Sequence, residues 1–181
     1  LRIGLLTDVE TSPLAASVRD ALEALAKWLG EQGAVVTRAT LPIEAPRHQA
    51  LFMQFVRAVG AARMNDAAFQ KTLADAAAYS PEDRSPAAQT LRGLTQYHRE
   101  WCAAHEERNQ LRAQWADYFR DHDLLLMPGT PVPAFPIDES GTRDARMLDI
   151  DGRSMPYNAQ GFWQGIATVS YLPATIAPIA R

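Results

Sequence analysis

Asp123-Leu-Leu-Leu-Met-Pro-Gly-Thr-Pro-Val-Pro-Ala-Phe-Pro136 is the stretch that decides the predicted fold. Residues 124–127 form a short, uninterrupted apolar run between helix breakers, which predicts an interior sheet strand that is buried on both faces. Four prolines within residues 128–136 then remove backbone donors and fix φ, so the chain leaves the sheet and runs extended along a surface. Because ligands of open α/β sheets gather where strands end, we expect a binding edge here.

The first forty residues predict a strand, a helix and a second strand. Residues 1–7 (LRIGLLT) and 34–40 (AVVTRAT) are short and rich in apolar or β-branched side chains, as strands are. Between them, Ser12 serves as the predicted N-cap of a helix and Pro13 as its first residue. One helix face then carries regularly spaced apolar residues up to a stop at Gly30 or Gly33: Leu14, Val18, Leu22, Leu25 and Leu29. This order predicts a parallel βαβ unit with a right-handed crossover, and hence an α/β fold.

A helical layer or lid is predicted over about residues 48–121. Residues 48–78 are rich in Ala, Leu, Met and Phe and predict one or two helices, with a break near Asn65-Asp66. After a polar loop, Ser85-Pro86 repeats the helix-start pattern. Residues 86–121 contain no proline after the first position and carry apolar side chains near helical spacing, which predicts one long helix leading into the strand at residue 124.

The remaining residues predict a loop, a hairpin, a helix and a strand. Residues 138–144 are polar and predict the loop. Asp151-Gly152 lies between two short alternating runs, which is the strongest short-range signal for a β-hairpin. Residues 158–170 predict a helix that starts at an Asn158 N-cap, and the apolar run 174–179 predicts a further strand.

The composition excludes several classes of function. The chain has 181 residues, enough for one domain with a sizeable core, and a net charge of −3, which does not fit a nucleic-acid binder. No apolar run is long enough to span a membrane. The single cysteine, Cys102, rules out an internal disulfide and favours the cytoplasm. A dinucleotide site is excluded because no Gly-x-Gly-x-x-Gly follows the first strand. The chain begins and ends in apolar segments, so we expect a fragment of a longer polypeptide.

The candidate metal ligands and nucleophiles are weak. His98, Cys102 and His105 share one helix face and could bind a metal, but no fourth ligand is evident and packing explains them better. Cys102 with His98 as its base would lack an oxyanion hole on a continuous helix. Asp149 and Asp151 lie in the predicted hairpin, where surface solvation accounts for them. We therefore predict no metal, no cofactor and no catalytic residue from these groups.

An ordered series of short motifs resembles the C-terminal part of the amidase signature enzymes. The motifs are Leu1-Arg-Ile-Gly-Leu with the Ser-Pro helix start, Gly33-Ala-Val-Val, Tyr118-Phe119, Asp123-Leu-Leu-Leu-Met-Pro128, Pro156-Tyr157, Phe162-Trp163 and Leu172-Pro-Ala-Thr-Ile-Ala-Pro178. No single motif is specific, but their order and spacing match across nearly the whole chain. The resemblance implies a large mixed sheet flanked by helices in an α/β/α fold, and an enzyme that hydrolyses or transfers amides.

The resemblance also implies a Ser-cisSer-Lys triad in a glycine- and serine-rich segment upstream of the matched part. No segment of this chain matches it. The serines considered all lack glycine-rich surroundings: Ser12, Ser80, Ser85 and Ser170. The only lysines, Lys27 and Lys71, fall in helical patterns where a solvated face explains them. No catalytic residue is carried over.

What the resemblance carries over is a set of substrate-pocket walls: Met127, Pro128, Gly129, Thr130, Phe162 and Trp163. The first hypothesis is therefore that residues 1–181 are a single-domain fragment, the C-terminal part of an amidase, which is inactive alone. Its expected partners are a small amide substrate in the full-length enzyme and the remaining N-terminal part. An exposed sheet edge would also favour a homodimer or aggregation. The alternative hypothesis is a non-catalytic α/β module that binds a partner through its long helix and proline-rich edge.

Overall fold

The computed structural model describes residues 1–83, 85–142 and 145–180. In chain order the elements are β1 (Arg2–Leu5), α1 (Ala16–Glu31), β2 (Val35–Arg38), α2 (Ala45–Ala61), α3 (Asp66–Ala77), α4 (Pro86–Leu94), α5 (His98–Asp121), β3 (Leu124–Leu126), β4 (Met147–Ile150), β5 (Arg153–Pro156), a 3₁₀ turn at Tyr157–Gln160, and α6 (Gly161–Ser170). The α/β class predicted from the sequence is confirmed.

A parallel sheet with the order β2-β1-β3 lies at the centre of the fold. Ile3 of β1 is paired with Val36 on one side and with Leu124 on the other, so the first strand is the interior one. The predicted βαβ unit is confirmed as parallel. The prediction that β3 is an interior strand is wrong for the described residues, where β3 pairs only with β1 and the Leu124 side chain is 49% exposed. An apolar run shows that a strand can be buried, but it cannot show that a neighbouring strand is present.

Alternating side chains of the strands divide the core between the two faces of the sheet. Helix α1 covers one face, where Leu22 and Ala26 pack with Leu5 of β1. Helix α5 lies on the other face, where Leu111 and Trp115 join a larger apolar cluster. We call this the main cluster; its buried members are Leu6, Leu14, Leu51, Ala104, Leu111, Trp115, Phe162, Trp163, Ile166 and Val169. Helices α2 and α6 pack beyond α5 and contribute most of the other members of the main cluster.

Gly4 allows α5 to approach the central strand closely. A Cβ atom at position 4 would lie only 1.7 Å from the hydroxyl of Tyr118, so the ring occupies the space that any larger residue would need. The Tyr118 ring is held in place because it stacks on His122 at a centroid distance of 4.1 Å and meets Trp115 edge-on at 5.3 Å. Burial raises the pKa of the Tyr118 hydroxyl above its usual value.

The start of α1 differs from the prediction. The helix begins at Ala16 after an Ala15 N-cap, while Ser12 belongs to a turn in which its N–H donates to the Val9 carbonyl. The carboxylate of Asp151 instead accepts a hydrogen bond from the Ala16 N–H at 2.6 Å. A distant acidic side chain therefore caps the positive end of the helix dipole, which a local Ser-Pro signal cannot reveal.

The hairpin that supplies this cap is confirmed. Strands β4 and β5 pair antiparallel around Asp151 and Gly152, whose φ values of 53° and 84° are the left-handed values that a type I′ turn requires. Leu148 and Ile150 of β4 pack on Ala15 beside the start of α1. The hairpin is therefore tied to the βαβ unit by both a cap and an apolar cluster.

The structure contains some, but not all, of the helices predicted between residues 48 and 121. The predicted break is present, because α3 begins after Asn65, whose side chain accepts from the Ala68 N–H at 2.9 Å. Ser85 caps α4 as expected. The single helix over residues 86–121 is wrong, because the chain turns between α4 and α5. Glu100 accepts a hydrogen bond from the Tyr97 N–H at 2.8 Å, which caps the new helix in the middle of a proline-free segment.

The C-terminal predictions are partly wrong. Asn158 lies in the 3₁₀ turn and does not cap α6, which starts three residues later. Residues 174–180 form no strand, since no backbone partner pairs with them in the described part of the chain. The predicted polar loop 138–144 is irregular where it is described, while its residues 143 and 144 lie outside the described residues.

Replacing Gly4 by alanine should lower the free energy of unfolding by about 1–3 kcal/mol, because the new methyl group would overlap the immobilised Tyr118 ring. Gly30→Ala is the matched control: a Cβ there meets no atom within 4 Å, and alanine favours helices, so stability should rise by up to about 1 kcal/mol. Urea denaturation of the two variants measures both values. Equal stability of Gly4→Ala and the unchanged chain would contradict the close approach.

Candidate functional site

The carboxyl ends of the three parallel strands meet at one edge of the sheet. A cleft of about 490 Å³ opens at the ends of β1 and β2. Its walls are Leu6, Asp8, Val9, Thr40, Leu41, Pro42, Ile43, Glu44 and Ala45. Since β3 is parallel to β1, the segment that follows β3 leaves the sheet at this same edge. This is where ligands bind in open α/β sheets.

Four of the six predicted pocket residues follow β3 directly. Met127 is half-buried against the main cluster, and Pro128 is buried. Gly129 lies beside the C-terminal segment: a Cβ there would be 3.2 Å from Cδ1 of Ile176. The Thr130 hydroxyl donates to the Val132 carbonyl at 2.7 Å, which fixes the turn after the strand. These residues form a shaped wall with a partly accessible surface.

The other two predicted pocket residues are in the core. Phe162 and Trp163 of α6 are 2% and 0% exposed, and their rings meet edge-on at a centroid distance of 5.4 Å. The structure does bring them together with Met127, because all three belong to or pack on the main cluster. None of the six residues is among the walls of the cleft. Contact of these residues with a ligand stays a prediction.

His48 of α2 is a buried ionisable group that the sequence analysis did not single out. Its ring is 0% exposed and meets the Phe162 ring edge-on at 5.4 Å. Helix α6 comes close at Gly165, where a Cβ would lie 3.3 Å from Cε1 of His48. Burial lowers the pKa of His48 to about 4, although the Gly165 backbone acts in the opposite direction. The imidazole is therefore neutral at physiological pH.

Two acidic residues are among those that line the cleft. Asp8 and Glu44 place two carboxylates on its walls. Glu23 of α1, which is not among the lining residues, accepts hydrogen bonds from Arg38 and from the hydroxyl of Thr7, two residues after β1. The hydrogen bond from Arg38 is the main reason why the pKa of Glu23 lies below its usual value. The residues that line the cleft are therefore mostly apolar, with Asp8 and Glu44 as the acidic ones.

The cleft residues were not predicted, although a signal for them exists. Thr7 and Thr40 mark the ends of two strands that were expected to be parallel, and the rule applied to residue 127 applies to them equally. The chain between β2 and α2 is short, so residues 40–45 are held close to the sheet. His48 had no comparable signal, because a single histidine in an alanine-rich helix is usually exposed or packed without function.

The weak catalytic candidates have structural roles. His98 precedes Trp101 along α5 and His105 follows it. Both histidine rings stack on the Trp101 ring, with interplanar angles of 9° and 16°. Cys102 is exposed, and its Sγ is 3.4 Å from Nε2 of His98. Within the described ranges no group of three or more His, Cys, Asp or Glu side chains is arranged to hold a metal ion.

No serine hydroxyl is hydrogen-bonded to a lysine in the described part of the chain. Lys71 pairs with Asp75 on the surface of α3, and Lys27 is exposed on α1. Ser85 is a helix cap, and Ser170 is buried at the end of α6. Among the described residues, no helix is long and apolar enough to cross a membrane.

Comparison with known proteins gives a consistent result. The model of the Amidase family matches residues 1–180. No match is found among curated proteins. Two similar solved structures come from a vestigial protein complex that reveals the evolutionary origins of an s-triazine catabolic enzyme, one of them an inhibitor-bound complex. Each is 24% identical and covers 94% of this chain and 34% of its own, with TM-scores of 0.62 and 0.61.

A third similar structure is a bacterial aryl acylamidase of the amidase signature family. It is 17% identical, covers 93% of this chain and 34% of its own, and has a TM-score of 0.57. At these identities the solved structures show a shared fold. The chain spans about a third of the length of each of the three structures.

The buried His48 should make stability depend on pH. Between pH 6.5 and about 4 the unfolded chain binds a proton that the folded chain excludes, so stability falls as the pH is lowered through this window. The full shift corresponds to roughly 3 kcal/mol. His48→Leu should abolish this component of the pH dependence, whereas the exposed control His98→Gln should retain it. Urea denaturation at several pH values measures the difference.

An NMR titration of the unchanged chain tests the same claim without a substitution. The His48 ring signals should stay in the neutral form down to about pH 5. Protonation of this ring near pH 6.5 would contradict the assignment of a buried, neutral imidazole.

Proposed function

Because the chain belongs to the amidase signature family, we propose that it is the C-terminal portion of an amide-bond hydrolase and contributes walls of the substrate pocket. The observation that carries the proposal is the family match over residues 1–180, combined with a chain that spans about a third of its structural neighbours. The resemblance implies a Ser-cisSer-Lys triad, which we place in the polypeptide upstream of this chain. The chain alone is then inactive.

The pocket walls in this proposal are Met127, Pro128, Gly129, Thr130, Phe162 and Trp163. The exit of β3 supplies the accessible part, since Met127 and Thr130 are partly exposed there. Phe162 and Trp163 support that wall from within the main cluster, and a ligand would reach them only through a gap opened in the full-length enzyme. The neighbouring cleft adds Asp8 and Glu44, whose carboxylates accept hydrogen bonds from the N–H group of an amide.

The chemistry of the triad explains why the proposal assigns catalysis to the upstream polypeptide and pocket walls to this chain. A neutral lysine accepts a proton through the bridging serine while the second serine attacks the amide carbonyl, and backbone N–H groups hold the oxyanion. The triad and its oxyanion-binding N–H groups need a tight backbone turn, which the proposed pocket walls of this chain do not form. The helical layer α2 to α5 would cover the pocket from one side. With a free, exposed Cys102 the protein suits the reducing cytoplasm.

The isolated 181-residue chain should show no hydrolysis of a chromogenic aryl amide above the buffer rate. The full-length product of its reading frame should hydrolyse the same compound and lose activity with a serine-directed reagent. Circular dichroism and urea denaturation of the isolated chain serve as the folding control. Turnover by the isolated folded chain that is abolished by that reagent would refute the proposal.

A further inference from the structure

Arg108 of α5 is a charged residue on a helix face that is otherwise apolar. The buried residues of α5 are Ala104, Arg108, Leu111 and Trp115, and their spacing places them on one side of the helix. Arg108 is 6% exposed, and among the described residues it is the one buried residue with a permanent charge. A buried guanidinium is costly unless an anion pairs with it. The contacts around Arg108 therefore need an account.

The contacts of Arg108 satisfy its guanidinium only in part. Its Cζ lies 4.1 Å from the ring centroid of Phe55 and 4.5 Å from that of Tyr171. Ring faces attract a cation, but they have no lone pair directed at its N–H groups. Nη2 donates to Nδ1 of His105 at 2.5 Å, while Nε is buried and has no hydrogen-bond partner among the described residues. An acceptor for Nε is therefore missing.

No carboxylate pairs with Arg108 in the described part of the chain. Helix α2, which contributes Phe55, contains no Asp or Glu, and neither does α6 or the segment 171–180 that follows it. On α5 the adjacent Glu107 is already engaged, because it accepts hydrogen bonds from Arg47 and forms an ion pair with it. The elements that pack on Arg108 thus provide aromatic rings and no counter-charge.

A second arginine adds positive charge at the same place. Arg112 follows Arg108 by one helical turn, and its Cζ lies 5.5 Å from the same Tyr171 ring. Like charges four residues apart on a helix repel each other. Tyr171 has a left-handed backbone with φ of 55° at the end of α6, a position where glycine is usual. Because Arg112 and Tyr171 are exposed, an anion can approach the two guanidinium groups from the surface.

We propose that Arg108 and Arg112, positioned by Tyr171, form a binding site for a carboxylate group. A carboxylate has two oxygens in one plane, which match the fork of N–H groups on a guanidinium. It would supply the acceptor that Nε lacks and reduce the repulsion between the two charges. The carboxylate belongs either to a small acidic ligand or to an Asp or Glu side chain elsewhere in the full-length polypeptide. The site is independent of the proposed function, since nothing in it requires amide hydrolysis.

NMR of the arginine Nε–H groups tests the site in the full-length product of the reading frame, and Arg108→Lys assigns the Arg108 signal. The protein is titrated with sodium acetate, with sodium chloride at equal ionic strength as the control. A signal that moves saturably with acetate alone supports a site for a small acidic ligand. A signal that is hydrogen-bonded without acetate, and becomes free after a single Asp→Asn or Glu→Gln substitution upstream, supports an acidic side chain as the occupant.

Three results would overturn the carboxylate site. The first is an Arg108 signal at the position of a free guanidinium that acetate does not move. The second is a saturable response to sodium phosphate without one to acetate, because the site would then take a tetrahedral anion. The third is a hydrogen-bonded signal that no single upstream Asp→Asn or Glu→Gln substitution changes, because the acceptor would then be uncharged.

Arg112→Gln tests the contribution of the second arginine, and Arg99→Gln is the matched control on the same helix. Both residues are exposed, so both variants should keep the fold. In Arg112→Gln the affinity for acetate should fall at least about tenfold, because a charge-assisted contact is lost. If a side chain occupies the site, the Arg108 Nε–H should instead exchange with water at least about tenfold faster. Equal values for the two variants would contradict a site built from two arginines.

Discussion

Hydrogen bonding of β1 to strands on both sides is the constraint on which the rest of the structure depends. Once Ile3 is paired with Val36 and with Leu124, the three strands run parallel and their carboxyl ends reach one edge. Gly4 then allows Tyr118 to lie directly on the central strand, so α5 packs close to the sheet. The position of α5 in turn sets the main cluster that supports α6 and His48. The cleft and the exit of β3 are adjacent because of this single arrangement.

The sequence was informative where structure is decided locally. Apolar runs located the three parallel strands, and Asp151-Gly152 located the hairpin because only a few residues tolerate its backbone conformation. Prediction from the sequence failed where a side chain that gives no local signal determines the start of a helix. Asp151 caps α1 across the fold, so the local Ser12-Pro13 signal misplaced the helix start. The break before α5 depends on a side-chain cap from Glu100 that resembles an ordinary helical residue.

The candidate site could be located from the sequence more readily than it could be specified. The proline-rich exit of β3 does leave the sheet at its carboxyl edge, where Met127 and Thr130 lie, and ligand contact there stays a prediction. The burial of Phe162 and Trp163 could not be foreseen, because aromatic residues are typical of both cores and ligand pockets. The neighbouring cleft requires knowing that β1 and β2 end beside each other with Asp8 and Glu44 on its walls. These relations are tertiary and have no local motif.

Membership of the amidase family is the basis of the proposal that this chain forms part of a pocket whose chemistry lies in other sequence. Photo-crosslinking of the full-length enzyme with a photoreactive aryl amide, followed by peptide mass spectrometry, tests it most directly. The account predicts labelled peptides that contain residues 127–130 or 40–45, with labelling reduced by excess unmodified amide. Labelling confined to other parts of the polypeptide, with none at the carboxyl edge of this sheet, would contradict it.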